Sequence, residues 1–134
     1  MINKIDHIGI AVKNLEESVK LYIEVLGLPL KNIEIVADQK VRTAIIPVGE
    51  SKIELLESTE PDGVIAQFIE KKGEGLHHIA LAVDNIDREL EDLGKASLPL
   101  IDKTPRRGVE NTRIAFIHPK ATKILLELVE PAEK

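Results

Sequence analysis

The sequence has no cysteine and no tryptophan, and only one tyrosine and two phenylalanines among 134 residues. Without cysteine there are no disulfides, thiolate nucleophiles or thiolate metal ligands. Any metal must be held by imidazole, carboxylate or amide groups. The shortage of aromatic rings argues against a surface on which nucleic-acid bases stack. Positive charge is not in excess either: the formal net charge is −5. The chain therefore has no general attraction for nucleic acid or an anionic membrane. No apolar run approaches the roughly 20 residues of a membrane span. The first residues, Met1-Ile2-Asn3-Lys4, enter a strand pattern at once and lack the form of a signal peptide, so a cytoplasmic location is expected. The length suits one compact domain, residues 1–134, with a core of its own.

What is present is a repeat. The string Ile5-Asp6-His7-Ile8-Gly9-Ile10-Ala11-Val12 returns as Leu76-His77-His78-Ile79-Ala80-Leu81-Ala82-Val83, with His7 and His78 71 residues apart. Asn14 and Asn85, Leu15 and Ile86, Val19 and Leu90, and Tyr22 and Leu93 keep the same spacing. An offset shared by a strand and the helix after it marks an internal duplication. The unit occurs only twice, so it predicts two halves about a pseudo-two-fold axis, not an array.

Successive side chains of a strand point to opposite faces. Ile8, Ile10 and Val12 thus make a bulky core face, and His7, Gly9 and Ala11 a cleared face bearing one imidazole. Ile79, Leu81 and Val83 against His78, Ala80 and Ala82 repeat the arrangement. Small residues beside a histidine leave room for a ligand. His77 falls on the face opposite His78 and is read as structural.

Asn14 is a good N-cap, with Glu17 completing a capping box. Leu15, Val19, Tyr22 and Leu26 form the apolar stripe, and Gly27 is the stop. The second helix runs from Asn85 along Ile86, Leu90 and Leu93 to a stop at Gly94, about one turn shorter. Strand-like segments follow near 30–37, 41–48 and 51–57, with a hairpin turn at Val48-Gly49-Glu50-Ser51. Three more follow the second helix, near 98–103, 112–118 and 123–130. Each half is therefore βαβββ, and the class is α+β. The first module covers about 3–58 and the second about 75–131. A connecting helix spans 61–72, with Pro61 at its start, Gly73 at its end and Ile65, Phe68 and Ile69 inward. Residues 105–111 read as a polar loop.

The last strands of the halves also match. Ile53-Glu54-Leu55-Leu56-Glu57 aligns with Leu126-Glu127-Leu128-Val129-Glu130. Glu54 and Glu127 interrupt apolar strands, where a lone carboxylate is costly unless it is paired, exposed or bound to a cation. If the halves face each other, His7, Glu54, His78 and Glu127 converge as two imidazoles and two carboxylates. That donor set suits an open divalent first-row metal site. Arg106, Arg107 and Lys120 could grip an anionic group such as a nucleotide phosphate; a solvated basic loop accounts for them equally well. His118, before Pro119, lines a substrate route or simply ends a strand. Glu16, Glu17, Lys71 and Lys72 are read as helix surface.

Two such modules, with ligands on the first and last strand of each, resemble the vicinal oxygen chelate (glyoxalase) superfamily. Within it, Gly73-Glu74-Gly75-Leu76-His77-His78-Ile79-Ala80 and Phe116-Ile117-His118-Pro119-Lys120, with the strings around His7, Glu54 and Glu127, resemble the methylmalonyl-CoA epimerases. The resemblance implies the vicinal oxygen chelate fold with a cupped, mostly antiparallel sheet. It implies metal ligands at His7, Glu54, His78 and Glu127, with cobalt first among Co2+, Mn2+, Ni2+, Zn2+ and Mg2+. It also implies methylmalonyl-CoA as substrate, a homodimer, and epimerisation by α-proton removal through a metal-stabilised enolate, with Glu127 as the first candidate base. Some family members carry a second catalytic Glu where this chain has Thr43, and a hydroxyl is no comparable base. The alternatives are a glyoxalase-type lyase acting on a glutathione hemithioacetal, an extradiol dioxygenase, and a metal-free binding protein of the same fold.

Overall fold

The computed structural model describes residues 1–132; positions 133 and 134 of the expected domain lie outside the described residues. Two compact units are present among the described residues, one of residues 7–77 and one of residues 1–6 with 78–132. Among the described residues no helix is long and apolar enough to cross a membrane.

The first unit takes in the second half of β1 (Ile2–Ala11), then α1 (Leu15–Lys20), β2 (Asn32–Val36), β3 (Val41–Val48), β4 (Ser51–Ser58) and α2 (Val64–Lys72). Its strands lie in the order β2-β3-β4-β1. β3 is antiparallel to both neighbours, and β1 runs parallel to β4. One face carries Ile10, Val12, Ala44, Ile46, Ile53 and Leu55 against Leu15, Val19, Tyr22 and Ile23 of the first helix. Burial of each such side chain is worth about 1.5–3 kcal/mol, and this holds α1 to the sheet. On the other face Ala11, Val41 and Leu56 pack against Ile65, Phe68 and Ile69 of α2.

The second unit contains the remainder of β5 (Gly75–Val83), then α3 (Ile86–Lys95), β6 (Arg106–Arg107), β7 (Arg113–Ile117), α4 (Pro119–Thr122) and β8 (Leu126–Glu130). The order is β5-β8-β7-β6, with β5 and β8 parallel. Leu81, Val83, Ala115, Ile117 and Leu128 pack against Ile86, Leu90 and Leu93 of α3. Ala80, Ile114 and Val129 cluster with Phe116 on the opposite face. The N-terminus belongs to this unit: the Met1 amino group pairs with Glu89, and Asn3 Nδ2 donates to Asp84 Oδ1 at 2.8 Å.

Asn14 and Asn85 cap their helices as expected, accepting from Glu17 N at 3.0 Å and Arg88 N at 3.1 Å. Four local readings change. The helix after β1 widens into a π-helical turn at Leu21–Val25, so Leu26 leaves the stripe and is exposed. Gly94 does not stop α3: the helix runs on to Lys95, and Ser97 (φ 62°) makes the left-handed exit. The two helical stretches therefore differ by about one residue, not by a turn. The connecting helix starts at Val64, because Glu60–Gly63 forms a turn in which Glu60 O accepts from Gly63 N and Ser58 Oγ. A Cβ on Gly63 would lie 2.2 Å from Ser58 Oγ, so this approach requires glycine.

The strand expected near 98–103 is replaced by a single bridge, Leu100 to Ile117, and the short β6 lies inside the expected loop. Pro99 and Pro105 lack the N–H a ladder needs. In place of a ladder, Ile101 N and Asp102 N both donate to Phe116 O, and the Asp102 carboxylate accepts from Phe116 N at 2.9 Å.

Candidate active site

Each unit carries one buried histidine–glutamate pair on adjacent parallel strands. In the first, Gly9 on β1 pairs in register with Glu54 on β4, which sets His7 and Glu54 on one face. His7 Nδ1 lies 3.2 Å from Glu54 Oε2. In the second, Ala80 pairs with Glu127, and His78 Nε2 lies 2.9 Å from Glu127 Oε1. All four side chains are 5% exposed or less. Gly9 and Ala80, in register with Glu54 and Glu127, put no bulky side chain beside the carboxylates from β1 and β5.

The donor chemistry fits a divalent ion. Imidazole nitrogens and carboxylate oxygens bind such ions at about 2.0–2.2 Å. Two cis ligands at that length are themselves about 3 Å apart, close to both observed separations. Removing two carboxylates from water costs several kcal/mol per ion unless charge and hydrogen bonds compensate. A cation in contact with each pair would supply that compensation.

The surroundings of the pairs differ. In the first unit Ile45 stands opposite Glu54 on β3, and Thr43 lies two residues along the same face. Thr43 is fully buried, and its Oγ1 has no hydrogen-bond partner among the described residues. In the second unit Phe116 stands opposite Glu127, and the His78 ring meets it edge-on with centroids 5.7 Å apart. Arg106 is in register with Ile114, and its guanidinium lies 5.3 Å from the Phe116 ring centroid. Asp102 holds that guanidinium at 3.3 Å. Arg106 therefore shares the Glu127 face.

Arg107 is in register with Arg113 and turns to the other face. His118 is exposed and caps the four-residue α4, its Nδ1 accepting from Lys120 N at 3.0 Å. Lys120 is exposed within that helix. His77 stands edge-on to Phe68 at 4.8 Å. Among the expected anion-binding residues, only Arg106 is brought to the face of a buried histidine–glutamate pair by strand register.

A supporting device is also duplicated. Glu57 Oε2 accepts from Leu15 N, the first amide of α1, at 2.9 Å, and Glu130 Oε1 accepts from Ile86 N, the first amide of α3, at 3.0 Å. Arg42 donates to Glu57 Oε1 at 2.8 Å and to Glu16 Oε1 at 2.9 Å. Arg113 grips Asp87 through two bonds, of 2.8 and 3.0 Å, and reaches Glu130 at 3.4 Å. Burial works against the Arg42 charge, but the bonds to Glu57 and Glu16 outweigh it and raise its pKa. The hydrogen bond from Arg113 holds Asp87 below the usual carboxylate value. These clamps tie each glutamate-bearing last strand to its helix. Glu16 is thus more than helix surface. The same repeat spacing links Arg42 to Arg113 and Glu16 to Asp87, a signal that reading the offset beyond the helices would have revealed.

Residues 6–116 match the Glyoxalase/Bleomycin resistance protein/Dioxygenase superfamily. The chain belongs to this superfamily. It is 42% identical over 131 residues to the uncharacterized protein YqjC of Bacillus subtilis, covering 97% of this chain and 94% of that one. It is 34% identical to the mitochondrial methylmalonyl-CoA epimerase of Dictyostelium discoideum, covering 96% and 79%. A methylmalonyl-CoA epimerase solved with methylmalonyl-CoA and NH4+ superposes with a TM-score of 0.94 at 34% identity, covering 98% and 96%. The fold is accordingly the glyoxalase, or vicinal oxygen chelate, fold, as the duplicated βαβββ pattern predicts.

Proposed function

We propose that this protein is a methylmalonyl-CoA epimerase that depends on a divalent metal, with His7, Glu54, His78 and Glu127 as ligands of one ion. The observation that carries the reading is the buried histidine–glutamate pair, present in both halves of a chain that resembles a substrate-bound epimerase along nearly its whole length. Cobalt is the first choice of ion. The bound ion would supply Lewis-acid stabilisation of the negative charge that grows on the thioester oxygen.

The remaining chemistry belongs to the chain. The carboxylate of Glu127 takes the proton from the α-carbon, and the C–H electron pair moves into the enolate. Ala80 and the Phe116 ring beside Glu127 keep that carboxylate in apolar company, which strengthens electrostatic effects there. Arg106 is the leading contact for an anionic group of the coenzyme A ester, because it shares the Glu127 face. Arg107, His118 and Lys120 are the further proposed contacts, with Arg107 the weakest because it turns to the face opposite Glu127. A cytoplasmic homodimer is part of the proposal.

The test is to incubate the purified protein with methylmalonyl-CoA in deuterated buffer, before and after chelation and with cobalt restored. Epimerisation with α-deuterium uptake, lost on chelation and regained with cobalt, is expected. An inert thioester, alongside turnover of a glutathione hemithioacetal, would replace this reading with the lyase. Sedimentation of the same sample reports the oligomeric state.

A further inference from the structure

We propose that Asp102 is a positioning residue: it fixes Arg106 on the Glu127 face, so that the guanidinium meets an anionic group of the coenzyme A ester already aligned. This rests on the epimerase reading above and names what sets the strength of its leading contact. Asp102 itself touches no substrate.

The segment from 98 to 105 has no ladder, and Asp102 takes the ladder's place. Ile101 N and Asp102 N donate to Phe116 O at 3.0 and 3.2 Å, and Phe116 N donates to Asp102 Oδ2 at 2.9 Å. Both main-chain groups of Phe116 therefore point to this segment and away from β8. Phe116 stands opposite Glu127. The two thus form a non-hydrogen-bonded pair of the antiparallel ladder, the kind in which side chains stand closest. The bond to Asp102 fixes the ring that lies beside Glu127.

The same oxygen holds the cation. Asp102 Oδ2 lies 3.3 Å from Arg106 Nη2, and the guanidinium carbon lies 5.3 Å from the Phe116 ring centroid. One carboxylate oxygen thereby joins the aromatic platform to the group that rests on it. The Arg106 side chain is 47% exposed and that of Asp102 only 16%. A guanidinium carries five N–H donors, and its exposure leaves those that Asp102 does not use open to an incoming anion. Pro99 and Pro105 bracket the segment and restrict its backbone.

Two effects of Asp102 on an anionic ligand have opposite signs. A long side chain held in place before the ligand arrives loses less rotamer entropy on binding, which strengthens the contact. The carboxylate charge repels the ligand, which weakens it. The exposure of Arg106 decides between them. Solvent and salt screen the repulsion there, while an exposed arginine without an anchor has the most freedom to lose. Removing the Asp102 charge should therefore weaken binding.

The test is a double-mutant cycle on the cobalt-loaded protein, with Asp102→Asn, Arg106→Ala and the double variant. Asparagine keeps an oxygen for Phe116 N and loses the charge that holds Arg106. Affinity is measured by titration calorimetry with an equilibrated mixture of the methylmalonyl-CoA epimers, in which no net reaction adds heat, beside kcat and KM. Expected for Asp102→Asn is affinity weaker by about three- to tenfold, a matching rise in KM and kcat within about twofold of the parent. The double variant should bind no more weakly than Arg106→Ala alone. Equal weakening by Asp102→Asn with and without Arg106 overturns the proposal, because Asp102 then acts only on structure. Unchanged affinity overturns it, as does an Arg106→Ala variant that binds as tightly as the parent. Tighter affinity overturns it too and makes Asp102 a competitor of the ligand for Arg106. Failure of the epimerase reading shows separately, as a parent that binds the thioester without epimerising it; the calorimetric outcomes then decide Asp102 by themselves. A parent that neither binds nor turns over the thioester overturns both.

Discussion

The two modules are alike where they hold their buried pairs and unlike at the outer strand. Each has a histidine on its first strand, a glutamate on its last, and an arginine clamp tying that last strand to a helix. One strand further out the likeness ends. Thr43 in the first module corresponds to Ile114 in the second, and Ile45 to Phe116. The position opposite Thr43 is Glu34, and the position opposite Ile114 is Arg106. The five-residue β2 ends the first set, and the two-residue β6 ends the second. On the proposed function, the repeated pairs would serve metal binding, and the divergent outer strands would serve the unlike ends of a coenzyme A thioester.

The sharpest way to break this comparison is to remove one carboxylate from each pair. Glu127→Gln should lower epimerisation about 10²–10⁴-fold even at saturating cobalt, because on the proposed function it removes a general base as well as a ligand. Glu54→Gln keeps an oxygen donor. At saturating cobalt it should stay within about tenfold of the parent, and it should require more metal to reach its plateau. Measured kcat against cobalt concentration separates the two. Equal plateaus would show that the proton does not pass through Glu127.

The divergent edges should separate next. Arg106→Ala removes a cation from the Glu127 face, and a charge-assisted hydrogen bond is worth about 1.5–3 kcal/mol. Its KM for methylmalonyl-CoA should rise about 10-fold or more, with kcat little changed. Arg107→Ala, on the opposite face, should raise KM less, and both effects should weaken with added salt. A larger effect at Arg107 would place the substrate on the wrong side of the sheet.

Much of this was legible in the sequence because duplication and parity act together. His7 and His78 keep their spacing, and small alternate residues mark which face each occupies. The buried pairs and the cap residues Asn14 and Asn85 followed from that. The inward turn of Glu34 was hidden by its own pattern: Asn32-Ile33-Glu34-Ile35-Val36 is an ordinary alternation, and alternation alone does not say which face turns inward. Only pairing with β3 settles it. The segment after α3 misled for another reason. Its apolar residues suit a strand, but Pro99, Pro105 and the Asp102 bond to Phe116 N replace the ladder. Gly94 was overridden by intact helical bonding, Ala96 N to Asp92 O, at 3.1 Å.

A smaller effect measures how far the clamps are equivalent. Glu57→Ala and Glu130→Ala each remove the side-chain acceptor for the first amide of a helix. Losses of this kind cost about 1 kcal/mol, with some addition for the arginine left behind. Urea unfolding should therefore give similar losses for the two variants, near 1–2 kcal/mol. A loss confined to Glu57→Ala would show that the second helix is held by its packing on Leu128 and Ile117 alone.

The smallest difference concerns acid. Glu16 and Asp87 occupy the same place in the two clamps, and both have folded pKa values below their ordinary 4.5 and 3.8. A backbone hydrogen bond lowers Glu16 most, with the bond from Arg42 second; the bond from Arg113 dominates for Asp87. A depressed folded value contributes stability that is complete above the unfolded value and fades as pH falls through the folded one. Melting temperatures should thus fall on acidification from pH 6 to 3, and each neutral variant should flatten part of that fall. Asp87→Asn should flatten it at lower pH than Glu16→Gln, and by more, because Arg113 gives Asp87 both ends of its fork while Arg42 reaches Glu16 through one nitrogen. The effect should shrink in salt, since both carboxylates face solvent. A larger flattening from Glu16→Gln would make the first clamp, not the second, the one that depends on its helix carboxylate.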